Sequence, residues 1–248
     1  MTAVLVLALL GGGGELPGWM GFAAARSAAS PTFGWSPVHR EADAVVFSAA
    51  FRPQWDAVAR GTAYRGITAE GAVVLRYLGT REERYGCEAN TAAMTAFRAE
   101  RRLPEGPVWV LPADAPLKPA PVPVVAAPSG KESRAWTAGR LEIAVRKTGE
   151  RTALLRVSDQ GRPILEEALE KHYMEGADLA PVDLSGTSEI GMPFPLAAFA
   201  LSPGGPWLIV FRQPGYEGNA FRSLLVEDGR ASFLESERHS PFLYLCAF

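Results

Sequence analysis

Residues 141–157 read LEIAVRKTGERTALLRV. Two short apolar runs, Leu141–Val145 and Ala153–Val157, flank Lys147-Thr148-Gly149-Glu150, a polar stretch whose glycine suits a hairpin loop. The reading decides the fold class, because the same unit recurs in both directions along the chain. Downstream, Trp207–Phe211 (WLIVF), Ser223–Val226 and Ala231–Leu234 are further strand-like runs. Glu227-Asp228-Gly229-Arg230 supplies the turn between the last two, since Gly229 takes the positive φ such loops need. Upstream, Ala44–Ala49, Ala72–Leu78 and Val108–Leu111 are short, apolar or β-branched, and bounded by turn residues. The chain's last residues, Phe242–Phe248 (FLYLCAF), have the composition of a strand docked in a core.

One segment reads differently. Pro163 fits a first helical position, Glu166 and Glu167 a first turn, and Lys171 and His172 a last turn. Leu165, Ala168, Leu169, His172 and Tyr173 then share a stripe, and Gly176 is placed to end it. The expectation is a mainly β protein with one amphipathic helix near 163–175.

The segment 112–131 divides the chain. Its prolines stand at 112, 116, 119, 121, 123 and 128. Proline fixes φ and donates no hydrogen bond, so the run favours an extended spacer or an edge strap over a central strand. Two β-rich lobes follow, 31–111 and 132–248, joined by a Pro-rich linker at 112–131.

Residues 1–30 are a candidate leader. Ala3–Leu10 (AVLVLALL) is too short to span a bilayer as a helix, which takes about 20 residues. It fits the apolar core of a secretory signal, with Ala23-Ala24-Ala25 or Ser27-Ala28-Ala29 as the cleavage zone. No Lys or Arg precedes it, and the alternative is a buried strand, Val4–Leu9, followed by a glycine loop. The first reading places the protein in the periplasm or outside the cell; the second leaves it cytoplasmic. Gly11–Gly14 does not continue into a dinucleotide-binding GxGxxG, because Leu16 or Pro17 falls where the third glycine belongs.

Composition removes several partners. With 25 Lys+Arg against 27 Asp+Glu the chain lacks the basic surface that neutralises nucleic-acid phosphates or anionic lipid. No segment beyond the N-terminus is apolar and long enough for a stable membrane span. No motif implies a cofactor.

Catalytic motifs are equally sparse. His39, His172 and His239 are the only histidines, none within metal-ligand spacing of another, and HExxH is absent. Gly186-Thr187-Ser188-Glu189-Ile190-Gly191 has one residue too many for GxSxG. Val125 and Glu132 break a phosphate-binding reading around Ser129-Gly130-Lys131. The carboxylate clusters Glu82/Glu83/Glu88 and Glu166/Glu167/Glu170 could supply an acid and a base only if two met in one cleft about 5–10 Å apart. Arg81 and Arg84 beside the first suggest surface ion pairing instead.

Cys87 and Cys246 are the two cysteines, and in an exported chain they could form a disulfide. A bridge closing about 160 residues would contribute roughly 5 kcal/mol on the chain-entropy model; the alternative is two separate buried thiols. Among the tryptophans, Trp109 and Trp207 lie in apolar runs and read as core. Trp35 and Trp55 lie in polar, proline-containing segments and are the candidate exposed, ligand-binding aromatics.

Ser202-Pro203-Gly204-Gly205-Pro206-Trp207-Leu208-Ile209-Val210-Phe211 resembles the SPDG-x-W-hydrophobic start of a strand in blades of TolB-like β-propellers, with Gly204 where the blade has Asp. Pro214-Gly215-Tyr216-Glu217-Gly218 is similar to the G-[FY]-E-G segment of predicted secreted bacterial proteins of unknown function. The resemblance spans about 25 residues, with no second copy at a spacing of roughly 40–45 residues. It implies an exported β-rich protein and supplies no catalytic residue. The expected function is a cofactor-free binding or interaction module for a protein or glycan ligand. An extracytoplasmic hydrolase with a site assembled from distant carboxylates or histidines is one alternative, and a structural envelope protein is another.

Overall fold

The computed structural model describes residues 16–23, 43–84, 91–171, 180–186, 189–215 and 219–243. It is mainly β, as the sequence implies. The first six strands are β1 (Trp19–Ala23), β2 (Asp43–Ser48), β3 (Ala63–Thr68), β4 (Gly71–Arg84), β5 (Thr91–Ala99) and β6 (Gly106–Pro112). They close into an antiparallel barrel in the order β1-β2-β5-β4-β3-β6, which leaves no free sheet edge. A short helix, α1 (Arg52–Asp56), packs against β4. Alternate side chains fill the barrel: Val73, Leu75 and Tyr77 from β4, Val108 and Val110 from β6, Val45 and Phe47 from β2.

β1 lies inside the 1–30 segment read as a candidate leader. It pairs with both β2 and β6, and Met20 and Ala23 are buried. Val4–Leu9 lies outside the described residues.

The remaining strands form two stacked sheets. One has the order β12-β11-β10-β9-β8, from β8 (Val124–Ala126), β9 (Ser133–Ala138), β10 (Leu141–Lys147), β11 (Thr152–Asp159) and β12 (Arg162–Glu170). The other has the order β16-β15-β14-β13-β7, from β7 (Ala120–Val122), β13 (Phe194–Ala200), β14 (Trp207–Pro214), β15 (Asn219–Glu227) and β16 (Arg230–Phe233). β17 (Phe242–Leu243) also pairs with β15. The second sheet is the middle layer of the molecule. Its Ile209 and Phe211 join Ile143, Val145 and Leu155 of the first sheet in one core. Its Leu208 and Val210 join Met20, Ile67 and Trp109 from the outside of the barrel in another. Burial on both faces explains why WLIVF and VWVL are apolar at every position instead of every second one.

The Pro-rich segment between the barrel and the sheets takes the edge-strap form. β7 pairs with β13 and β8 with β9, so the chain passes from one sheet's edge to the other's at Pro123. Arg65 fixes its start, donating from Nη2 to the carbonyls of Ala115 (2.5 Å) and Leu117 (2.7 Å). Prolines are tolerated here because an edge strand needs ladder donors on one side only.

The expected helix at 163–175 is instead the edge strand β12, as far as Glu170; residues 172–179 lie outside the described residues. Gln160 and Gly161, at φ 51° and 79°, make a tight turn that folds Arg162–Glu170 back onto β11. The register places Arg156 opposite Glu166, and Nε of Arg156 donates to Oε1 of Glu166 at 2.7 Å. Pro163 sits at the start of this edge, beside a bulge at Val157/Ser158, where proline does least damage. Tertiary pairing has overridden local helix propensity.

Candidate functional site

Of the two candidate binding tryptophans and the two cysteines, only Trp55 lies among the described residues; Trp35, Cys87 and Cys246 lie outside them. Trp55 is not an exposed aromatic. It is 1% exposed, in the barrel core, with ring centroids of Trp19 and Phe47 at 5.0 Å, Tyr64 at 5.4 Å and Tyr77 at 5.9 Å. Its polar neighbours Arg52, Pro53 and Gln54 occupy the outward positions of α1, and the tryptophan alone turns inward. Trp109 and Trp207 are buried, as expected.

Among the described carboxylates of the two clusters, Glu82, Glu166 and Glu167 are held in ion pairs. Glu82 takes Nη1 of Arg52 at 3.1 Å, Glu166 is paired across the ladder with Arg156, and Glu167 takes Nη1 of Arg222 at 2.9 Å. Arg52, which pairs with Glu82, is far from it in sequence. His39 and His172 lie outside the described residues. His239 is buried between barrel and middle sheet, its ring edge-on to Trp109 at 6.4 Å. Among the described residues no group of His, Cys, Asp and Glu gathers to hold a metal ion, and no helix is long and apolar enough to cross a membrane.

A different site emerges at one end of the two-sheet stack. The β9–β10 turn (Gly139-Arg140), the β13–β14 connection (Ser202–Pro206) and the β15–β16 turn (Asp228-Gly229) converge there. They enclose a pocket of about 170 Å³ lined by Arg140, Gly204–Trp207 and Val226–Gly229. Each turn is sharp for a local reason. Gly139 has φ 59°, Gly204 and Gly205 have φ 85° and 114°, and Asp228 and Gly229 have φ 50° and 71°. The loop 202–206 is closed by Gly205 N–H donating to the Ser202 carbonyl (3.1 Å) and by Ser202 Oγ–H donating to the Gly205 carbonyl.

The bare α-carbons of Gly205 and Gly139 make room for the Trp207 indole: a methyl group at Gly205 would sit 2.7 Å from Nε1 of Trp207 and 3.9 Å from Nη2 of Arg140, and one at Gly139 2.5 Å from the far edge of the same ring. Trp207 is 8% exposed, and its indole N–H has no acceptor in the protein. Arg140 is held in place from behind, its Nε 2.9 Å from Oδ1 of the largely buried Asp159. Glu227 and Asp228 add two carboxylates to the wall, and neither belongs to an ion pair among the described residues. The pocket lining thus includes one guanidinium and two carboxylates.

Sequence reasoning reached two of the three turns, as the strand start at Trp207 and the Glu227–Arg230 turn. It did not reach Gly139-Arg140, nor that sheet order would bring all three to one end. No protein-family model, no curated protein and no solved structure matches this chain.

Proposed function

We propose that the protein is a cofactor-free binding module that recognises a small polar ligand in the pocket between the Gly139-Arg140, Ser202–Pro206 and Asp228-Gly229 turns. The observation that carries this reading is the convergence of three turns on one pocket whose lining includes Arg140, Glu227 and Asp228. The three turns stand on paired strands of both sheets, so they are pre-positioned rather than ordered on binding. A ligand of metabolite size suits the volume, which is below the range typical of drug-sized molecules.

Export remains part of the proposal. It rests on Ala3–Leu10, a run that fits the apolar core of a secretory signal. Intact masses of the protein from separate cell fractions test it.

The binding reading is tested by nitrogen–proton correlation spectra of the full chain against a library of small metabolites. Saturable shifts confined to 139–140, 202–207 and 226–229 support it. Shifts centred elsewhere, or none across the library, overturn it.

A further inference from the structure

We infer that the outer face of the barrel around Arg60, Arg76 and Arg98 is an interaction surface for an acidic segment of a partner protein. The face belongs to β4 and β5 and shares no residue with the pocket described above. The register sets Arg76 of β4 directly opposite Arg98 of β5. Leu75, Tyr77 and Phe97 point into the barrel core, so alternation turns both arginines outward, and both are exposed. Like charges in directly opposed positions destabilise a sheet. Elsewhere in the described ladders, partners that both carry charge are opposite in sign: Arg156 with Glu166, Asp159 with Arg162, and Glu227 with Arg230. Arg60 brings a third guanidinium to the same place. At the bulge between Tyr77 and Gly79, this exposed arginine lies over the bare α-carbon of Gly79, with Nη2 3.7 Å from where a side chain would begin.

Other arginines of the barrel are neutralised where they stand. Arg52 pairs with Asp56 and Glu82, and Arg101 with Glu70. Arg60, Arg76 and Arg98 belong to no ion pair among the described residues. Glu100, two positions beyond Arg98, instead accepts the Val74 N–H on Oε1 at 3.3 Å. The fold thus keeps a repulsive pair without an internal acid to offset it, and an external anion would do so. Guanidiniums match carboxylates in bidentate geometry. Alternate residues of an extended segment present carboxylates about 6.4–6.8 Å apart on one side, a spacing that suits neighbouring positions on a sheet face. Val74, the outward residue before Arg76 and 41% exposed, adds an apolar contact. Nucleic acid fits less well. Three phosphate contacts supply little affinity, and no exposed aromatic ring stands among the described residues of this face for bases to stack on. The near balance of 25 Lys+Arg and 27 Asp+Glu over the whole chain conceals this local excess.

The test is fluorescence anisotropy of the full chain with three dye-labelled probes: a peptide of alternating glutamate and valine, its glutamine counterpart, and an oligothymidylate. The glutamate peptide should bind saturably and weaken as salt is raised, with the glutamine peptide weaker by at least about tenfold. Arg98→Glu turns the like-charged pair into an opposite one. It should weaken the glutamate peptide at least about tenfold and raise the melting temperature by about 1–4 °C. An arginine retained for the fold would lower the melting temperature when replaced, so opposite movement of affinity and stability identifies a surface kept for a partner. Arg156→Gln, on β11, should leave peptide binding unchanged. A lowered melting temperature or unaltered binding in Arg98→Glu overturns the inference, and so does an equal loss of binding in Arg156→Gln, which would assign it to overall charge. Oligothymidylate bound as tightly as the glutamate peptide overturns it in favour of nucleic acid. Silence of all three probes overturns it as well.

Discussion

The ammonium of Lys171 lies 2.9 Å from Oε1 of Glu189, with the two side chains only 3% and 14% exposed. Lys171 follows β12 and Glu189 precedes β13, so the pair clamps both ends of the chain between the two sheets. Nζ also donates to the Ala180 carbonyl at 3.0 Å, and the Lys171 carbonyl accepts from Nη2 of Arg151 at 2.9 Å. Removing one member leaves a buried charge without its counter-ion. Lys171→Met should therefore destabilise the protein by about 3–5 kcal/mol, and Lys171→Met with Glu189→Leu should recover much of that loss. Denaturant melts of the two variants check it; a double variant no more stable than the single one would show that the pair itself contributes net stability.

The position of β1 makes a second outcome specific. Trp19–Ala23 is hydrogen-bonded to β2 on one side and β6 on the other, and Met20 N–H also donates to the Arg238 carbonyl at 2.6 Å. A chain beginning at residue 16 should keep a cooperative melt. One beginning at residue 26 should lose it, because two barrel strands are left with open edges and the core side chains of β1 are gone. Near-ultraviolet circular dichroism, which reports the packed tryptophans, separates the two.

How far the sequence discloses this fold depends on whether a signal is local. The hairpin at 141–157 is legible because its turn and both runs lie in one short window, and the structure pairs Leu141 through Lys147 with Asp159 through Ala153. Residues 163–175 mislead for a simple reason. Leu165 and Leu169 are four apart, a spacing that satisfies both the helical period and the strand's period of two. In β12 they face the core with Glu167 between them, which is tolerated because Arg222 reaches it from the middle sheet. The deciding cue was Gln160-Gly161, a two-residue hairpin turn of the kind glycine permits. The pocket was not legible as a whole, since Arg140, Gly205 and Asp228 meet only through the strand order. Trp55 misled because its neighbours in sequence are polar while its neighbours in space are aromatic.

Tyr64 carries an alkaline sensitivity. Burial in the barrel pushes its phenol above the ordinary tyrosine value, and the nearby Tyr77 pushes in the same direction. The folded state therefore holds the proton more tightly than the unfolded state does. Its contribution to stability is complete below about pH 10, the unfolded value, and is lost as pH rises through the folded one. Tyr64→Phe removes the ionisable group and should flatten the fall in stability above about pH 10. Denaturant melts across the alkaline range check this; an unchanged slope in the variant would assign the loss to other groups.

Adjacent residues of β14 should report on different layers. Leu208 packs toward the barrel with Trp109 and Phe199, whereas Ile209 packs toward Ile143 and Leu155 in the stack. Both are fully buried, so Leu208→Ala and Ile209→Ala should each destabilise by about 2–5 kcal/mol. Their local effects should differ. Leu208→Ala loosens the seam holding β1, β6 and the 115–117 segment, and Ile209→Ala loosens β10 and β11. Native-state hydrogen exchange, which resolves sub-global opening, should show faster exchange on the barrel side in the first variant and in the outer sheet in the second. Identical exchange patterns in the two variants would mean that the three layers open as one unit, with β14 transmitting damage equally to both faces.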